Sequence, residues 1–175
     1  MLSSRRFRAG LAAAGLVAAL LGVTGCQVQP LYGSTSSSGS VANATIAISP
    51  PTNRVGRVVR NELVFAFGQG SGEPVNAEYR LDLSASASTA GVLPTGLQND
   101  FSAARVTASG SYRLVVEATG EQIAAGSRRA MALLDYPAQG YSNVRAVRDA
   151  EDRAARELAA LIRADIVAKL AARAR

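Results

Sequence analysis

Reactive side chains are scarce in this sequence, and that scarcity narrows the chemistry first. Cys26 is the only cysteine in 175 residues, and histidine is absent. The usual zinc, copper and haem ligand sets, Cys–His pairs and the Ser–His–Asp triad are therefore excluded. Carboxylates such as Asp82, Asp100 and Asp135 stand outside any motif. Gly68-Gln69-Gly70-Ser71-Gly72 follows a helical pattern rather than a strand, so it reads as a solvent loop and not a phosphate cradle. The sequence predicts no catalytic residue, no metal and no cofactor.

The thiol of Cys26 sits where one particular modification would use it. Arg5, Arg6 and Arg8 precede the uncharged run Leu11–Val23, which is signal-peptide length and short for a membrane span. The run ends in Val23-Thr24-Gly25-Cys26, a lipobox-like site. Small residues at Thr24 and Gly25 let the backbone enter a peptidase cleft, and the thiol behind them can carry a diacylglycerol through a thioether. The alternatives are an ordinary secretory signal or a plain membrane anchor. A lone cysteine in an exported chain favours lipidation, because no second thiol exists for a disulfide. Gln27, where an aspartate would favour inner-membrane retention, points to the outer membrane.

Five guanidiniums form the second candidate site. Arg80, Arg105 and Arg113 fall on the polar faces of alternating segments, and one of Arg128 and Arg129 must share that side. Grouped guanidiniums can hold phosphates bidentately. The bland alternative is a solvated face partly neutralised by Asp82 and Glu117. Net charge does not argue for nucleic acid. Without residues 1–25 the chain has 16 basic and 13 acidic residues, a net charge of +3.

These residues need elements to position them. Residues 1–25 read as a lipoprotein signal, 26–40 as a lipidated terminus with the Gly/Ser tether GSTSSSGS, and 41–175 as one folded domain. A strand over 41–49 ends at Pro50-Pro51. Thr52 or Asn53 caps a helix to Phe67, with Val55, Val58, Val59, Leu63, Ala66 and Phe67 on one face and Gly68 as its C-cap. Residues 76–89 alternate with a period of two, and 90–100 form a connection. A strand over about 103–117 turns through Ala118-Thr119-Gly120 into a partner over 121–135, whose expected core residues are Ile123, Met131 and Leu133. A long helix from Ser142 to about Ala172 carries Val144, Val147, Ala150, Ala154, Leu158, Leu161, Ile162 and Leu170 at helical spacing. Its Asp149, Glu151 and Asp152 are expected to pair with Arg153, Arg156 and Arg148. The order β-α-β-β-β-α predicts an α+β (α/β) two-layer sandwich: a four-stranded mixed or antiparallel sheet with two helices on one face. The long basic helix could instead lie on a membrane, but its Ala, Val and Leu stripe without Trp or Phe favours packing on the sheet.

The residues Cys26-Gln27-Val28-Gln29-Pro30-Leu31-Tyr32-Gly33 resemble the start of mature alphaproteobacterial lipopolysaccharide-assembly lipoproteins, the LptE-like family. The resemblance continues at Arg60-Asn61-Glu62-Leu63, along Ala77–Leu83 and through Tyr141–Ala155, and so spans most of the chain after Cys26. Gln27-Val28 departs from the commoner Gly-Phe. The resemblance implies a non-catalytic α/β plug inside the outer-membrane β-barrel of the lipopolysaccharide translocon, LptD-like, that helps the barrel fold and binds lipopolysaccharide. It places the protein at the periplasmic face of the outer membrane, lipid-anchored. An accessory subunit of another envelope machine, such as a lipid-transport auxiliary or a peptidoglycan-synthase activator, is the alternative.

Overall fold

A computed structural model describes residues 44–94, 101–136 and 140–174, the last segment from backbone alone at 140 and 141. Cys26, the signal, the tether and residues 41–43 of the first expected strand lie outside the described residues. The elements are β1 (Ile46–Ile48), α1 (Arg54–Gly68), β2 (Tyr79–Pro94), β3 (Phe101–Val116), β4 (Gln122–Asp135) and α2 (Gly140–Arg173). The sheet order is β1-β2-β3-β4. β1 pairs parallel with β2, and the other two pairings are antiparallel. This is the four-stranded mixed sheet with two helices that the pattern predicts.

Local chemistry explains the boundaries. The Asn53 side chain accepts from the Gly56 N–H at 2.7 Å and donates to the Ala85 carbonyl at 2.8 Å, so one residue starts α1 and ties it to β2. α1 ends one residue later than Gly68 suggests. Gln69 takes the left-handed cap conformation at φ 50°, and Gly70 follows at φ 84°. The β3–β4 turn closes through Gly120 at φ 71°, whose N–H donates to the Val116 carbonyl. β2 runs to Pro94, so residues 90–94 belong to the strand and not to the connection. Gly91 has a physical reason for being glycine, because a Cβ there would come within 2.3 Å of the Phe101 ring.

The core lies between the helices and one face of the sheet. α1 contributes Val55, Val59 and Leu63; β2 and β3 contribute Leu81, Ala85, Val106, Ala108, Tyr112 and Leu114. α2 buries Ala150, Ala154, Leu158, Ile162, Ile166 and Leu170 along one stripe, as expected of a helix packed on a sheet. Burying Leu158, Ile162 and Ile166 fully is worth about 1.5–3 kcal/mol each before entropy is counted. Val144 lies outside that stripe and is exposed.

β4 corrects the sequence reading most sharply. Its buried residues are Ala124, Ala130, Ala132 and Leu134, while Met131 is 62% and Leu133 67% exposed. The register explains the reversal: Ala132 faces Val106 and Ala130 faces Ala108 on the helix side, so Met131 and Leu133 must point the other way. Alanine lets α2 lie close to the strand. Ion pairs on α2 also differ from expectation. Asp149 pairs with Arg153 at 2.9 Å, but Glu151 and Asp152 both reach Arg54 at the start of α1, locking the two helices together.

Gly110 tests this packing. A Cβ there would meet Leu158 Cδ2 at 3.1 Å and the Ser84 carbonyl at 3.3 Å. Gly110→Val is expected to destabilise the fold by about 1–3 kcal/mol through overpacking. Leu158→Ala alone should cost about 2–5 kcal/mol, and the double variant less than the two losses added together. Urea unfolding of the four proteins measures the coupling; strict additivity would show that α2 does not rest on Gly110.

Candidate functional site

Because both helices cover one face, the other face of β2, β3 and β4 carries its side chains outward. The register writes that face as rows. Asp82 and Arg113 share one row; Ser84, Ser111 and Ser127 the next; then Ser86, Ser109 and Arg129. Ser88, Thr107 and Met131 follow, and then Ala90, Arg105 and Leu133. A shallow trough of roughly 430 Å³ runs over Ser84, Ser86, Ser109, Ser111, Ser127 and Arg129. The surface therefore grades from charged, through hydroxyl-lined, to apolar. At the apolar end of the same strands Val92, Leu93 and Phe101 are also exposed.

The five candidate arginines separate into three environments. Arg80 lies 3.4 Å from Asp82 and 3.2 Å from Glu117, and Arg113 lies 3.5 Å from Asp82. Their charge is largely answered within the protein. Arg129 and Arg105 share the outer face but have no carboxylate partner among the described residues. Arg129 Nε donates to Ser109 Oγ at 3.3 Å. Arg128 occupies the opposite side, opposite Gly110 in the register, and binds Asp165 of α2. The structure thus sets Arg129 in the middle of the face, two rows from Arg105 on one side and two rows from the ion-paired Arg113 on the other, and places Arg128 on the opposite side.

Sequence reasoning missed the polar cluster that holds Arg128. Tyr112 donates its hydroxyl to Asp165 Oδ2 at 3.0 Å, and Arg128 Nη2 donates to Asp165 Oδ1 at 2.7 Å. The Tyr112 ring lies over Gly126, where a Cβ would come within 3.0 Å of the hydroxyl. Burial, with the Asp165 carboxylate second, pushes the Tyr112 hydroxyl up to about 12. The hydrogen bond to Asp165 raises Arg128 further above its usual range. The only signal in the sequence is a small residue, Gly126, opposite a tyrosine, and that is visible only once the register is known. Among the described residues no group of three metal-ligating side chains exists, and no helix is long and apolar enough to cross a membrane.

A family model, LptE: Lipopolysaccharide-assembly, matches residues 43–166. The chain belongs to the LptE family. Its fold is also seen in solved structures. A lipoprotein candidate from Caulobacter crescentus CB15 is 24% identical, with 78% of this chain and 98% of that one covered at a TM-score of 0.62. A minor lipoprotein from Acinetobacter baumannii is 12% identical, with 72% and 92% covered at a TM-score of 0.53. At these identities the likeness concerns the fold. Among curated proteins none matches. Membership assigns this LptE chain to lipopolysaccharide assembly in general, and the two-layer fold with one bare sheet face is the architecture it brings to that task.

The raised Tyr112 hydroxyl makes a pH prediction. The unfolded tyrosine ionises near 10 and the folded one near 12. The contribution is fully present below pH 10 and is lost between about 10 and 12, because only the unfolded chain releases the proton there. Wild type should lose stability relative to Tyr112→Phe across that window, by up to about 1.4 kcal/mol per pH unit. Parallel pH curves for the two proteins would show the hydroxyl is not held.

Proposed function

We propose that this protein is an outer-membrane lipoprotein, anchored through Cys26 after removal of residues 1–25, that helps assemble and plug the β-barrel of the lipopolysaccharide translocon. It assists delivery of lipopolysaccharide to the cell surface and catalyses nothing. Family membership over residues 43–166 supports the general role. The observation that carries the finer reading is the bare outer sheet face, where Arg105 and Arg129 have no carboxylate partner among the described residues and lie beside exposed Met131 and Leu133. Four residues along a strand and one strand across separate the two arginines by roughly 14 Å between Cα atoms. Two cations at that spacing, next to apolar side chains, suit an amphiphile with anionic groups on its sugars and acyl chains beyond them. Arg80 and Arg113, already engaged by Asp82 and Glu117, contribute less, and Arg128 faces the helices.

Three measurements test the parts separately. Radiolabelled palmitate should enter the wild-type chain and not Cys26→Ser; equal labelling removes the anchor. Tagged protein should bring down a large outer-membrane β-barrel, and its depletion should lower surface lipopolysaccharide. Recovery of an inner-membrane transporter or a peptidoglycan synthase instead would overturn the translocon assignment. Arg105→Glu/Arg129→Glu should weaken lipopolysaccharide binding by about tenfold or more, since a hydrogen bond to a charged group is worth about 1.5–3 kcal/mol. Arg57→Glu, on the exposed side of α1, should leave binding unchanged. Equal loss in both would show only a general dependence on charge.

A further inference from the structure

A sheet with two edges presents rows of backbone groups to which another strand can pair. In β4 the direction of those groups follows from one bond. The Tyr136 N–H donates to the Ser102 carbonyl at 2.8 Å, so in this antiparallel ladder the even-numbered residues of β4 turn their N–H and C=O toward β3. The odd-numbered residues, Ser127, Arg129, Met131 and Leu133 among them, turn theirs outward. Two of those outward carbonyls are occupied by arginines. Arg128 Nη1 donates to the Ser127 carbonyl at 2.9 Å, and Arg153 Nη2 donates to the Leu133 carbonyl at 2.9 Å. Each guanidinium is held from behind by an acid of α2. Asp165 binds Arg128 at 2.6 Å, and Asp149 binds Arg153 at 2.9 Å.

The opposite edge carries the same device. The outward Ile48 N–H donates to Glu73 Oε1 at 2.9 Å, Arg60 Nε donates to the Ile48 carbonyl at 3.2 Å, and Arg60 and Glu73 pair with each other. The ion pairs in these arrangements add little stability by themselves. Half-exposed ion pairs contribute about 0–1 kcal/mol. What the guanidiniums do is fill the lane, about 4.8 Å from β4, where a neighbouring backbone would run. Every antiparallel register that overlaps most of β4 with a second β4 needs the Ser127 and Leu133 carbonyls as acceptors.

We propose that Arg128 and Arg153 are edge guards: seated on the Ser127 and Leu133 carbonyls and tethered to Asp165 and Asp149, they keep β4 from pairing with β4 of a second copy of this chain. The proposal is independent of what the outer face binds. It assigns Arg128 a role on the sheet edge in place of an anion site.

The test is the oligomeric state of the full chain in density-matched detergent, measured by sedimentation. Arg128→Ala/Arg153→Ala should raise the self-association constant by at least about tenfold, equivalent to about 1.4 kcal/mol, with an unchanged far-ultraviolet spectrum. Adding Met131→Pro to that variant should restore the monomer, because proline there removes an outward N–H and leaves the β3 ladder intact. Adding Met131→Ser, which keeps the N–H and deletes the apolar side chain, should not. A double variant as monomeric as wild type overturns the proposal. So does association that Met131→Ser abolishes as well as Met131→Pro, since the contact would then be the apolar face. If the double variant does not fold, Arg153→Ala alone carries the same comparison with a smaller rise.

Discussion

The packing of α2 across β3 and β4 is the contact on which the rest of the molecule depends. Leu158 and Ile162 sit over Gly110, and the strand rows beneath the helix are Ala108, Ala130 and Ala132. Small residues in the sheet and branched residues on the helix give a close fit, and the fit fixes which side of each strand faces inward. Once that side is fixed, a period of two places every remaining side chain on the opposite face. α1 then has only β1 and β2 left to cover. Asn53 holds it there through the Ala85 carbonyl, while Arg54 joins it to α2 through Glu151 and Asp152. Among the described residues, one face of the sheet is consequently left without a covering layer.

An uncovered face and two edges must coexist with solubility, and the polar residues are divided between those tasks. Serines and Thr107 occupy the middle rows of the bare face, where hydroxyls serve water or a ligand equally well. Arg80, Arg113, Asp82 and Glu117 neutralise one another at one end. Arg60, Arg128 and Arg153 lie against outward carbonyls at the sheet edges. Arg105 and Arg129 remain as the cations of the face with no internal carboxylate among the described residues. Chemically identical side chains thus meet three different requirements, and position in the register decides which.

That division explains what the sequence discloses and what it withholds. β2 and β3 alternate cleanly because large apolar and polar residues take turns, so their faces are legible from Leu81 to Ala87 and from Ala104 to Leu114. The order of elements, the Asn53 cap and the α2 stripe are equally legible, since each rests on local spacing. β4 misleads because its inward residues are alanines and its outward ones include Met131 and Leu133. Size suggests the wrong side, and only the partner strand corrects it. The end of β2 is hidden for a related reason. Gly91 and Pro94 look like loop residues until the Phe101 ring is seen to fill the place of the missing side chain. Arg128 and Arg129 are adjacent, so the sequence requires them to part but cannot say which goes where. The tertiary pairs Arg54–Glu151 and Arg54–Asp152 likewise replace plausible pairs within one helix, because those acids face α1.

The residues on which sequence reading fails are also the ones that folding alone does not explain. A chain selected only for stability would have no reason to place Met131 and Leu133 outward. Here the inward alanines are needed for the close approach of α2, and that need does not require large apolar side chains on the far side. Serine or threonine there would continue the polar rows of Ser109, Ser111 and Thr107 at little cost. Instead the apolar pair flanks Arg105 and Arg129. Exposed apolar side chains grouped beside uncompensated cations are costly in water and useful against an amphiphile. The combination is what connects this bare face, rather than the buried core or the polar cluster at Tyr112, with the work of a lipopolysaccharide-assembly family.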